Sequence, residues 1–365
     1  MRRIILILFA ALLLCGPVRA AEDVAARQAA ALGADTLPDA LDADTRAQLQ
    51  DVSPTTGGDF LKTTFSVFSN ALTGALGSTR EAAKTLCALL AAVILCAMAE
   101  NFGPGIPARA VTIAGALAIT GVCTASLQTM IGLAADTLDR VCNFTTLLLP
   151  VLSAAVTAAG APSAGTALYV GSTLFMDVLL TLIRRLLQPM VYAFAALAAA
   201  DCAVGQERLS KLRELIGWVI TVSLKGVMYL FTAYLTLSGV VTGAADAAGV
   251  RAVKAGLSAA LPVVGGIVSD ATESVLAGAG AVKAAAGAFG LLAVLAMGLL
   301  PFLRIGLQYL TLRVAAAAGG TAGSTGLSGL ISHLATAMGY MLAMTGCALL
   351  MALICCTCFL KAAGA

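Results

Sequence analysis

The chain has 365 residues, of which 60% are hydrophobic and only 11% charged, against about 25% charged in a soluble domain. Its formal net charge of +3 offers no basic surface for nucleic acid, and its single histidine, His333, cannot build a metal site alone. An ordinary soluble globular protein is excluded, and an all-α polytopic membrane protein is expected.

Residues 1–20 read as a secretion signal. Arg2 and Arg3 form the basic start, Ile4 to Leu14 the apolar run, and "VRA" ends at Ala20. Cleavage there would leave the mature amino terminus extracytoplasmic; retention as an anchor helix is the alternative. Residues 21–82 are the main hydrophilic segment, with nine acids, four bases and a net charge of −5. A small acidic extracytoplasmic region is expected, with one or two short amphipathic helices broken at "SPTTGG", Ser53 to Gly58.

Apolar runs follow at about 85–99, 110–135, 141–161, 164–183, 186–204, 215–241, 284–303, 305–322 and 334–360. A span needs about 20 residues. If 141–161, 186–204 and their later counterparts do not cross, the cytoplasmic side collects Arg109, Arg184, Arg185, Arg208, Lys211, Arg213, Arg304 and Arg313. The outer side then keeps Arg140, Arg251, Lys254, Lys283 and Lys361, diluted by acids such as Asp136 and Asp139. That bias agrees with an outside amino terminus and predicts about six transmembrane helices with re-entrant or interfacial segments between them. The expected divisions are 83–109 for the first transmembrane helix and its loop, 110–212 and 213–330 for two membrane units, and 331–365 for the last helix.

Those two units share short matches in the same order. "LPV" recurs at Leu149 and Leu261, "RRLLQ" at Arg184 is echoed by "RIGLQ" at Arg304, and "LSKL" at Leu209 by "LSGL" at Leu327. The offsets, 112 to 120 residues, suggest a parallel internal repeat, in which Pro150 is the counterpart of Pro262. Interrupted apolar segments at repeat interfaces are common in pores and transporters.

The stretch "GLSAALPVVGGIVSDATESVLAGAGAVKAA", Gly256 to Ala285, is too broken for a simple span and too apolar for a loop. Pro262 interrupts a helix, and Gly265 and Gly266 permit a turn. Asp270 and Glu273 have capping-box spacing, which predicts a new helix starting at Asp270. Small residues after it allow close helix packing. The segment reads as a re-entrant element lining a passage or as an amphipathic connector on the outer surface.

Charges within apolar runs are the other pointer. Asp177 and Lys225 are expected to pair, with snorkelling of Lys225 as the alternative. Asp177, Lys225 and Glu100 could also serve a proton relay. Most of the ten cysteines, including Cys355, Cys356 and Cys358, read as small packing residues rather than zinc ligands. No P-loop, no Ser/His/Asp set and no HExxH motif occurs, so neither an enzyme nor a cofactor is expected.

The stretch "SGVVTGAADAAGVRAVKAGLSAALPVVGGIVSDATES", Ser238 to Ser274, and more weakly "LIRRLLQPMVY", resemble the stage III sporulation protein AE family. The signal, acidic outer segment and apolar remainder match that family's layout. The resemblance implies a multi-pass protein of the mother-cell membrane around the forespore. It would work with other membrane proteins of the stage III sporulation operon and a forespore-side channel protein, as the pore or export gate of a secretion-like channel complex needed for late forespore gene expression. A homo-oligomer is compatible with such a role. A stand-alone secondary transporter and a non-conducting scaffold are the alternatives.

Overall fold

Alanine and leucine dominate the chain from residue 60 onward, and both are strong helix formers. In a bilayer the backbone has no water to bond, so such runs close their hydrogen bonds internally. The computed structural model describes residues 27–50, 52–54, 57–58, 60–102, 107–204, 209–260, 265–321 and 325–362, with side chains left out at 57–58, 100–102, 108, 239–260, 265–274 and 325. The signal stretch and the Pro262 break itself lie outside these residues.

The amino-terminal region is small. Helix α1, described over residues 27–31, leads to a 3-10 helix, Ala34–Ala40, and to α2, Ala43–Gln48. Strands β1 (Val52–Ser53) and β2 (Gly57–Gly58) pair antiparallel, Val52 opposite Gly58, around the break at "SPTTGG". Helices α3 (Phe60–Gly77) and α4 (Thr79–Phe102) follow almost without a gap. The bundle proper comprises α5 (Ala108–Ala158), α6 (Pro162–Leu182) running through a π-helical turn into α7 (Gln188–Val204), α8 (Ser210–Ala260), α9 (Gly265–Thr321) and α10 (Thr325–Lys361).

Six stretches among the described residues are long and apolar enough to cross a membrane: Phe60–Ala99, Arg109–Ala158, Pro162–Val204, Ser210–Ser238, Val275–Thr321 and Gly326–Lys361. The expected number of spans is met, but their limits differ. The run 141–161, expected not to cross, is the last third of the single helix α5 with the turn that ends it, and 186–204 continues the rod begun by α6. At 1.5 Å per residue α5 is about 76 Å long, more than twice a hydrocarbon core of about 30 Å. The first candidate span begins at Phe60, inside the segment read as hydrophilic. Helix α3 exposes Leu61, Phe65 and Phe68, an apolar face that the acids upstream mask in a composition average.

Helix α9 is the hub, packing against α10, α5, α3 and α4. Its Phe289, Leu292, Ala293 and Val294 are fully buried. Hydroxyls inside the bundle bond back one turn, as Thr145 Oγ1 does to Val141 O at 2.6 Å and Thr345 Oγ1 to Met341 O at 3.0 Å, which satisfies these two donors in an apolar setting. Helix α8 exposes Trp218, Tyr229, Leu230 and Leu237, a face suited to lipid.

Two further expectations change. A helix starting at Asp270 is not seen, because α9 already begins at Gly265 and Asp270 lies inside it; Glu273 follows in the same helix. Gly265 and Gly266 are the first described residues of α9, ahead of the acids, and α8 is described as far as Ala260; the expectation for Pro262 lies outside the described residues. The duplication is not shown. Pro150, the proposed counterpart of Pro262, sits inside α5 eight residues before its end, whereas Pro262 falls between α8 and α9. Deletion of one N–H by Pro150 is absorbed within a helix packed along its whole length.

Candidate polar groove at mid-height

The register of α5 against α6 is fixed by a tight turn. Gly160 adopts φ 94, a conformation that favours glycine. Ala161 N donates to Val156 O at 3.1 Å and Gly160 N to Thr157 O at 3.1 Å, the Schellman pattern at a helix end. Pro162 then starts α6 at a position where no N–H is needed. Asp139 and Arg184 each lie about 30 Å from this turn, one on each arm, and they form an ion pair.

That pair overturns the sidedness read from charge. Asp139 was assigned to the outer side and Arg184 to the cytoplasm, yet they meet at one level. The error came from treating 141–161 as a separate, non-crossing segment. With one continuous helix there, the two residues fall at the same height.

Around the pair is a cavity of about 520 Å³ lined by Asp139, Cys142 and Asn143 of α5 and by Asp177, Leu180, Thr181, Arg184 and Arg185 of α6 and the π turn. The π turn, Ile183–Leu187, has a cause in the sequence. Pro189 has no N–H for the carbonyl of Arg185, and its ring crowds that carbonyl. The helix widens by one residue just before it, and Gln188 N donates to Ile183 O, five residues back. Adjacent residues on an α-helix point about 100° apart; here both arginines line one cavity.

Asp177 and Lys225 do not pair among the described residues. Tyr234 of α8 donates its hydroxyl to Ala167 O of α6 at 2.9 Å. Lys225 is therefore about 13 Å further along the rod, close to the level of Asp177. The level is right but the faces differ. Asp177 turns to the groove beside α5, and Lys225 is exposed on α8, where its stem can carry the ammonium to water. The side chain of Glu100, the third relay candidate, is outside those described.

Other polar links hold the frame. Arg213 Nη1 and Asp201 Oδ2 lie 2.7 Å apart, with side chains only 10% and 7% exposed, and Leu209 N donates to Asp201 Oδ1 at 2.9 Å. Gln308 of α9 donates to Ser126 Oγ of α5 at 2.7 Å. Sequence reasoning missed both. The amino-terminal region is tied to the groove's rim by Arg140 and Asp42 at 3.0 Å, with side chains 48% and 36% exposed. Exposed pairs contribute about 0–1 kcal/mol. Arg140→Ala is expected to leave the unfolding midpoint in detergent within that range, and a larger loss would mean that the contact is far drier than its exposure indicates.

No group of three or more metal-ligating side chains occurs among the described residues. Neither a curated protein nor a solved structure matches the chain. Residues 52–363 match the family model of stage III sporulation protein AE, a region that includes all six candidate spans and every residue of the groove. By that match over most of its length, the chain belongs to the stage III sporulation protein AE family.

Proposed function

We propose that this protein is the polytopic membrane component of the mother cell–forespore channel complex, serving as its pore or export gate in the mother-cell membrane. The observation that carries the reading is the family match across 52–363; the family's name gives the sporulation stage, and six apolar rods give the membrane setting. The groove supports a gate rather than an inert scaffold, because it gathers four charged side chains into one cavity beside the apolar rods, a setting that suits water, a ligand or a partner. The signal-like start supports an extracytoplasmic amino terminus. Without a nucleotide site in its sequence, the protein takes its energy from partner proteins of the same operon and catalyses no reaction itself.

The test is made in sporulating cells lacking the gene. The full chain is expected to restore a late forespore-specific reporter and to co-purify with the other stage III membrane proteins. Purified alone in liposomes, it is expected to move no solute. Solute uptake by the isolated protein, without any requirement for partners, would replace this reading with the stand-alone transporter.

A further inference from the structure

The groove holds two acids and two bases, and only one acid–base pair is joined. Asp139 and Arg184 neutralise each other, while neither Asp177 nor Arg185 has an ion-pair partner among the described residues although both line the same cavity. They carry opposite signs, eight positions apart along α6 and its π turn. Their height in the membrane can be argued from the rods. Between this level and the Gly160 turn, α5 and α6 each run about one hydrocarbon core in length or less, whereas α5 before it, from Ala108, runs about 46 Å. A bilayer that holds the half ending at the turn therefore puts the charged level at its edge. Lipid phosphates lie at that edge, and basic pockets between membrane helices take lipid head groups.

We propose that the groove binds the head group of a zwitterionic phospholipid with a primary ammonium, such as phosphatidylethanolamine. Arg185 donates to the phosphate oxygens, a match its forked guanidinium favours. Asp177 accepts from the ammonium. A choline head group keeps the cation but has no N–H to give, and a glycerol head group has no cation, so each loses the charge-assisted hydrogen bond to Asp177. Asn143 and Thr181 supply neutral polar contacts on the cavity wall. The proposal requires only that the chain lies in a bilayer and does not depend on a role as pore or gate.

The test uses the full chain, stripped of lipid in mild detergent, incubated with phosphatidylethanolamine, phosphatidylcholine or phosphatidylglycerol and read by native mass spectrometry. The wild type is expected to retain one phosphatidylethanolamine about tenfold more than either other lipid. Asp177→Asn should lower it to the phosphatidylcholine level. Arg185→Gln should remove about tenfold from every lipid, and Arg185→Lys should fall between, since it keeps the charge but loses the fork. Size exclusion checks that each variant is folded; if Arg185→Gln aggregates, Asp177→Asn and Arg185→Lys still decide. Equal retention of the three lipids, or retention indifferent to Asp177→Asn, overturns the proposal. Displacement of the lipid by free glycerophosphoethanolamine at equal concentration would also overturn it, in favour of a soluble ligand.

Discussion

Asp201→Ala is expected to destabilise the bundle by about 3–5 kcal/mol. The carboxylate does two things at the turn between α7 and α8. One oxygen meets Arg213 at 2.7 Å and the other accepts Leu209 N at 2.9 Å. Leu209 directly precedes α8, so its N–H has no partner within the helix, and a negative charge at that end also suits the helix dipole. Both charged side chains are almost wholly buried. Truncating Asp201 leaves the Arg213 guanidinium buried without its counter-charge, which is where most of the loss arises. Asp201→Ala combined with Arg213→Leu is therefore expected to recover most of the stability, because a buried pair can often be replaced by apolar groups at little cost. Asp201→Asn should fall between, since it can still accept from Leu209. Unfolding curves in mixed detergent micelles measure all three. A loss below about 1 kcal/mol for Asp201→Ala would be the value of an exposed pair and would contradict the burial of this one.

What the sequence revealed, and what it hid, follows from which quantities are local. Class and number of spans were legible because apolar runs near 20 residues are a property of composition alone. Span limits were not. A run such as 141–161 reads the same whether it ends a long helix or lies beside the membrane, and only packing against α9 decides; Leu148, for example, lies against Gly290. The Asp177–Lys225 expectation had the level right and failed on the face, because a helix surface turns about 100° per residue and only the packed structure says which way α8 is rotated. The groove also has a signal in the sequence. Asp177, Thr181 and Arg184 or Arg185 recur at helical spacing, and Pro189 follows the arginines within one turn. A proline at that position in an apolar run predicts a widened turn, and with it two arginines lining one cavity.

Gly171→Ala is expected to cost about 1–3 kcal/mol and to move α6 against α8. A methyl group at residue 171 would fall on the ring of Tyr234. The ring has little freedom to yield. Its hydroxyl is held by Ala167 O at 2.9 Å, and Phe175 packs against it with centroids 5.7 Å apart. Phe175 in turn meets Phe231 edge-on at 5.6 Å, so a shift of Tyr234 disturbs the whole α6–α8 contact. Gly226, with nothing within 4 Å, should tolerate alanine and gain up to about 1 kcal/mol from helix propensity. Tyr234→Ala introduced with Gly171→Ala is expected to cost less than the two single changes added together, the mark of residues in direct contact. Additive costs would mean that the helices do not approach at this point. Because α6 carries Asp177 two turns below Gly171, the same displacement should also weaken retention of the ammonium lipid, whereas Gly226→Ala should leave it unchanged. That pairing of a stability loss with a binding loss at a residue outside the groove tests whether the glycine contact sets the position of α6.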